Sequence, residues 1–267
     1  MSFGYPWWMT YGHLAVAVPG GLALAWLFWR KRAKVGRWLL AALVAWAVAA
    51  FLLVKFNFRL DSPIGPPTSR FLAGGAGKVL DLGCGSGRAS IGLLLARKQS
   101  TVTGLDNWSA DYIRGNGPDL FLANARAAGV ESRISVQNAD MRELPFGDAV
   151  FDGVISAYAV DHLDPAGISR TLAEAARVLR PGGEILILNL VRDAWTVFAV
   201  PPLAFHSSRR SNAASVGHGQ AATEGHSSEV VWRHRLESAG FEVVEVGRRP
   251  GTLFFLARKP APAAPAS

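Results

Sequence analysis

The stretch Val79-Leu80-Asp81-Leu82-Gly83-Cys84-Gly85-Ser86-Gly87-Arg88 limits what this chain can build more than any other. It reads as a short buried strand, a turn with glycine at alternate positions, and the start of a helix. Glycine adopts left-handed backbone conformations without penalty and lets main chain approach a ligand closely. The free N–H groups of the following helix then face a polar or anionic group.

After this turn, strands and helices alternate. Strands are expected at Lys78–Leu82, Thr101–Leu105, Ile134–Gln137, Phe151–Ser156 and Glu184–Leu190, with closing strands at Phe241–Val246 and Thr252–Ala257. Helices are expected at Arg88–Lys98, Asp119–Ala128, Ile168–Leu179 and Ser227–Ala239; Gly129, Pro181-Gly182-Gly183 and Gly240 end the last three. This alternation predicts an α/β Rossmann-like sandwich with a mostly parallel seven-stranded sheet over residues 78–259. Ligands of such sheets bind beyond the C-terminal strand ends, where the glycine turn lies.

The N-terminal residues 1–59 have a different character. His13–Trp29 and Trp38–Val54 are uncharged, apolar runs of 17 residues each, counting His13 as neutral. Each makes a helix about 25 Å long, at the short end of what spans a bilayer. Trp7, Trp8, Trp29 and Trp38 stand at the run ends, where interfacial aromatics belong. Two hydrophobic transmembrane helices forming a hairpin are therefore expected, with membrane lipids as partners. The net charge of +8 agrees: residues 1–60 hold seven basic side chains and no acid. The basic surplus thus belongs to the apolar segment rather than to a nucleic-acid-binding face, and anionic headgroups are its natural counterpart.

Residues 60–77, with Pro63, Pro66, Pro67, Gly74, Gly75 and Gly77, read as a linker. Ala194–Phe205 is apolar and reads as a lid, a membrane-dipping element or core. Residues 207–228 read as a mobile loop and 260–267 as a disordered tail. His206, His218 and His226 lack tight metal-ligand spacing, so no metal site is expected. Cys84, the single cysteine, allows no intrachain disulfide and reads as a small buried filler.

The turn is G-x-G-x-G; a dinucleotide fingerprint needs a third glycine where Arg88 stands, which weakens a nicotinamide reading. Asp106 ends the second strand, 21 residues after Gly85, placed to accept both hydroxyls of a ribose. Asp140 follows the third strand and can accept from an adenine amino group, with Met141 packing on the ring.

Taken together these residues resemble the class I S-adenosylmethionine-dependent methyltransferases, especially the quinone-biosynthesis and other small-molecule enzymes. Val79–Arg88 matches their first motif and Gly104-Leu105-Asp106 the second. Asn138–Phe146 resembles the third, Phe151–Ser156 matches the fourth strand, and Glu174–Leu188 resembles the E-x-x-R-V-L-x-P-G-G segment. The resemblance implies that Asp81, Gly83 and Gly85 face the methionine part of S-adenosylmethionine, Asp106 the ribose, and Asp140 with Met141 the adenine. Ser156 and Tyr158 then line the methyl-transfer side. The loop Trp108–Pro118 is longer and more polar than the family pattern. His162 is a candidate base, with a locally bonded helix-start residue as the alternative.

The expected function is a membrane-anchored methyltransferase acting on a small or lipid-like acceptor, with its domain facing the cytoplasm. A nicotinamide-dependent oxidoreductase and a non-enzymatic membrane protein with a cofactor-sensing domain are the alternatives. The five basic residues between the apolar runs, Arg30, Lys31, Arg32, Lys34 and Arg37, oppose a two-span hairpin with a cytoplasmic domain.

Overall fold

The computed structural model describes residues 1–30, 34–110, 112–191, 193–199 and 228–261. They form two compact units: Met1–Gly4 with Ser62–Arg192 and Gly219–Ser267, and Tyr5–Asp61 with Asp193–His218.

The first unit is built on β1 (Ala76–Leu82), β2 (Gln99–Asp106), β3 (Ile134–Asn138), β4 (Phe151–Ala157), β5 (Leu179–Leu190), β6 (Glu242–Arg249) and β7 (Thr252–Arg258). The strands lie in the order β3-β2-β1-β4-β5-β7-β6. β1 through β5 pair in parallel, and β7 runs antiparallel between β5 and β6. The chain winds outward from β1 to β3, then restarts on the other side of β1 with β4. That reversal opens a crevice above the C-terminal ends of β1 and β4.

The helices of this unit are α4 (Arg88–Ala96), α5 (Pro118–Ala127), α6 (Pro165–Val178) and α8 (Glu229–Ser238). Ile168, Leu172 and Ala175 of α6 and Trp232 and Leu236 of α8 share one core with Leu80, Leu82, Leu105, Ile185 and Phe255. Side chains alternate along a strand, so Leu80 and Leu82 turning to that core sends Asp81 to the opposite face of β1. Ser90 of α4 meets it there. On α5, Phe121 fills the space that two glycines leave. A Cβ on Gly87 or Gly104 would stand 2.1 or 2.4 Å from its ring.

Within residues 60–77, read as a linker, residues 62–75 pack on the sheet unit. Phe71 is fully buried. Arg97, just past the end of α4, donates to the Ser69 and Phe71 carbonyls at 2.8 and 2.9 Å. Ile64 N–H donates to Arg88 O, and a Cβ on Gly92 would stand 2.1 Å from Ile64 O. Proline and glycine content signals an irregular path, which a packed wall and a free spacer share. Other differences are at the boundaries. β5 begins at Leu179 rather than Glu184, because Leu179 already pairs with Phe151 before the Pro181-Gly182-Gly183 turn.

The second unit contains α1 (Trp7–Tyr11), α2 (Leu14–Trp29), α3 (Lys34–Leu53) with a π-helical turn at Val54–Phe58, and α7 (Ala194–Ala199). Helix α3 starts four residues before the expected Trp38, because Lys34, Val35 and Arg37 all tolerate helix. α2 and α3 pair in opposite directions. Phe28 stands edge-on to Trp38 at one end and Tyr11 meets Phe51 at the other. Gly20 permits close approach: a Cβ there would meet Val44 at 2.9 Å. At the base, Lys55 bonds both Tyr11 and Asp61. Trp7, Trp8, Leu22, Trp26, Trp29, Leu39 and Phe56 are all exposed. Val35–Phe58 is long and apolar enough to cross a membrane, its most apolar 18-residue stretch having a mean hydropathy of 2.4; α2 is shorter. Helix α7 joins this unit, with Ala199 O bonded to His13 Nε2 and Phe198 O to Trp46 Nε1. The rest of Ala194–Phe205, nearly all of the 207–228 loop with its histidines, and the tail beyond 261 fall outside the described residues.

Phe121→Ala leaves Gly87 and Gly104 facing a cavity, and urea denaturation should show a loss of about 3–5 kcal/mol.

Candidate functional site

The site begins with the glycine turn. Gly83, Gly85 and Gly87 have φ of 72°, 48° and 88°, all left-handed. A side chain at any of them strains the backbone, which explains the alternate spacing. The turn is fastened to β2 through Gly83 and Cys84 N–H, which both donate to Leu105 O. Burial pushes the Cys84 thiol well above its ordinary value, in keeping with a filler.

Asp106 lies at the end of β2 and is 9% exposed. Its Oδ2 accepts from Gly85 N–H at 2.8 Å and its Oδ1 from Trp108 N–H at 2.7 Å. One carboxylate therefore sets the path of both loops. Each oxygen has a further lone pair for another donor.

Asp81 is 1% exposed. Ser90 Oγ donates to its Oδ2 at 2.5 Å, while Oδ1 is buried without a protein partner. Burial pushes its carboxyl up to about 7; the Ser90 hydrogen bond opposes the shift and the Asp106 charge adds to it. A buried carboxyl with one unmet oxygen is a receptor for a donor or cation.

Met141 and Ala159 close on Gly83 from the loops after β3 and β4. A Cβ on Gly83 would stand 3.1 Å from Met141 Cε and 2.3 Å from Ala159 Cβ. Asp81, Gly83, Gly85, Asp106 and Met141 thus gather at the C-terminal edge of β1 and β2.

Asp140 and Ser156 have other commitments. Arg142 grips both Asp140 oxygens, with Nε at 2.9 and 3.0 Å and a terminal nitrogen at 2.5 Å from Oδ2. This guanidinium holds the Asp140 carboxyl below its usual range. Ser156 is 1% exposed, and its hydroxyl donates to Leu82 O at 2.9 Å, tying β4 to β1.

The loop after β4 brings further polar side chains, Tyr158, Asp161 and His162. Tyr158 has a φ of 57°, which is costly for a residue with a side chain. Its N–H donates to Leu188 O, and its hydroxyl bonds Thr252 Oγ1 at 2.8 Å. Asp161 Oδ2 accepts from Leu190 N–H at 3.3 Å, and its Oδ1 is buried without a protein partner. Burial raises its carboxyl above the ordinary value. His162 is exposed, with the Tyr112 ring centroid 6.3 Å away.

Sequence reasoning missed Ser90, Ala159 and Asn124. Asn124 lies with Phe121 and Ala125 on the buried face of α5, and a polar residue on such a face was the available signal. Among the described residues no cluster of His, Cys, Asp or Glu could hold a metal.

Residues 79–183 match the family model of a methyltransferase domain. A methyltransferase of Streptomyces halstedii is 35% identical over 115 residues, 43% of this chain and 38% of its own length. A ubiquinone/menaquinone biosynthesis C-methyltransferase of Desulfotalea psychrophila is 36% identical over 120 residues, 45% of this chain and 44% of its own. The chain thus spans less than half the length of either relative. A SAM-dependent methyltransferase from Methanosarcina mazei shares the fold, with a TM-score of 0.51 at 23% identity over 74% of this chain and 99% of that one.

Asp81 gives a pH signature. A carboxyl raised in the folded state stabilises the fold below its unfolded value, near 4, and that contribution is lost as pH rises through about 7. Asp81→Asn keeps an acceptor for Ser90 but carries no titrating proton. The melting temperature of the wild type should therefore fall relative to Asp81→Asn between pH 5 and 8, as differential scanning fluorimetry can check.

Proposed function

We propose that this protein is a membrane-associated, S-adenosylmethionine-dependent methyltransferase acting on a small, lipid-like acceptor. The observation that carries the reading is the convergence of Asp81, the glycine turn, Asp106 and Met141 at one edge of the sheet. The left-handed glycines leave room for close approach, and the unmet oxygen of Asp81 suits a cationic group, so the residues fit the cofactor.

In this reading Asp81 and the main chain of Gly83 and Gly85 receive the methionine portion. Asp106 takes the ribose hydroxyls with its remaining lone pairs, and Met141 packs on the adenine. Asp140 accepts from the adenine amino group only by sharing its carboxylate with Arg142. Ser156, bonded to Leu82 O, lies at the ends of β1 and β4 beside the methyl-transfer side. S-adenosylmethionine supplies a methyl group already activated on its sulfonium. What remains for the protein is to align an acceptor with that methyl and exclude water. Tyr158, Asp161 and His162 flank the acceptor side. A base is required only for an acceptor that must lose its proton before attack.

The membrane part rests on the exposed aromatic and aliphatic side chains of α2 and α3 and on the hydropathy of Val35–Phe58. Met1–Gly4 and Ser62–Arg192 belong to one folded unit, so the segment between them starts and ends on the same side of any bilayer. Helix α2 is 16 residues, about 24 Å, against roughly 30 Å of hydrocarbon. A hairpin lying along the cytoplasmic face, with its apolar sides in the acyl boundary, lets the basic residues near positions 30 and 37 stay with cytoplasmic headgroups. The conflict between a basic loop and a cytoplasmic domain then disappears. A lipid-like acceptor is favoured because membrane confinement raises its effective concentration.

Asp106→Ala removes the acceptor for two loop N–H groups and for the ribose. Calorimetric titration with S-adenosylhomocysteine should show binding weakened at least about 100-fold; unchanged affinity sinks the cofactor assignment. The wild-type protein should stay in the membrane pellet through washes of high salt and alkaline carbonate, and release by either one refutes insertion.

A further inference from the structure

The glycine turn has a support that neither the strand nor the helix beside it supplies. Residues 1–4 lie in the same folded unit as the turn, and Phe3 is only 2% exposed. Asn124 is the joint. Its Oδ1 accepts from Ser2 N–H at 2.9 Å, and its Nδ2 donates to Ser2 O at 2.8 Å and to Ser86 O at 3.0 Å. One amide thus holds the N-terminal segment and the middle of the glycine turn together.

A second path runs through Ile113. Its Cδ1 stands 3.3 Å from where a Cβ on Gly85 would lie. On its other side Gly4 closes down, so that a Cβ on Gly4 would stand 2.7 Å from Ile113 Cγ2 and from Arg114 O. Arg114 N–H donates to Gly4 O at 2.8 Å, and Gly4 has a φ of 75°. The long polar loop after Asp106 is therefore pinned by the N-terminal residues at the point where it touches the turn.

Arg88, the first residue of α4, joins both ends of the intervening segment. Its guanidinium lies over the Phe3 ring at 6.0 Å, and its Nε donates to Ser62 O at 3.1 Å. Within the other unit, Lys55 bonds Tyr11 and Asp61.

We propose that Met1–Gly4 is a positioning strap for the cofactor turn. It holds Asn124 against Ser86 and Ile113 against Gly85, so affinity for S-adenosylmethionine depends on it. This rests on the methyltransferase reading above. Without the strap, the Asn124 side chain, 2% exposed, loses two of its three hydrogen bonds, and Ile113 loses its cover. An amide with unmet buried groups reorients, and Ser86 O and the turn lose their fixed partner.

The test uses the full chain in detergent micelles, with S-adenosylhomocysteine as the calorimetric probe. Gly4→Ala places a methyl against Arg114 O, and Phe3→Ala removes the contact with Arg88. Each should raise Kd about tenfold, while Phe3→Leu, which keeps the apolar fill, recovers most of the affinity. With a transferable acceptor, KM for the cofactor should rise while kcat at saturation holds. Kd within twofold of wild type in both alanine variants overturns the strap. So does a tenfold loss accompanied by a collapse of the thermal transition, because the effect then belongs to the fold as a whole. No heat of binding from the wild type overturns the cofactor reading itself, and the strap with it.

Discussion

Two backbone N–H groups converge on the Asp106 carboxylate, and the geometry of the crevice depends on that junction. The turn after β1 has three left-handed glycines and little side chain with which to hold itself. A backbone so free has many conformations to lose, and fixing it costs about 1–2 kcal/mol per residue. Asp106 offsets part of this by taking Gly85 N–H with one oxygen, while Trp108 N–H on the other fixes the next loop. Phe121 adds a solid floor beneath Gly87 and Gly104. Charge-assisted bonds on one side and a close-packed ring on the other turn a floppy sequence into a preformed cradle.

Much of this was legible. Strand, glycine turn and helix declare themselves because left-handed positions demand glycine and a buried parallel strand demands continuous apolar residues. Asp106 was legible as a strand-end carboxylate, though its grip on the turn was not, since no pattern tells which N–H groups will face it. Asn124 and Ser2 are 122 positions apart, and such a pairing leaves no local trace. The packing within residues 60–77 was hidden for a related reason. Their prolines and glycines announce an irregular path, while burial of Phe71 depends on Arg97 capturing carbonyls from another element. The side-chain commitments of Ser156 and Asp140 were likewise set by neighbours across the sheet and along the loop.

Asp81 shows why a motif residue can be structurally expensive. Its place on β1 is dictated by alternation: Leu80 and Leu82 belong to the core on one face, so the carboxyl must sit under α4. There it has one hydroxyl partner and no counter-ion, and Asp106 adds a like charge nearby. A hydrophobic residue of similar size would suit the fold better. A carboxyl kept under such conditions makes sense as a receptor for positive charge, which S-adenosylmethionine carries on its sulfonium and its amino group.

The hairpin raises the same question of cost on a larger scale. A pair of helices with tryptophan, leucine and phenylalanine turned outward leaves apolar area in contact with water, at roughly 25 cal/mol for each Å². In lipid that term changes sign, and the remaining demands are polar. The cluster of Tyr11, Lys55 and Asp61 at the base satisfies its own members, so a charged pair can lie close to the bilayer without an unmet partner. At the other end Arg30 lies over Trp26 and Trp29, and Arg37 over Phe28. Cations stacked on rings keep their charge available to headgroups while their stems cover apolar surface. Both ends of the hairpin thus carry the side chains that the proposed membrane-associated reading asks of an interface.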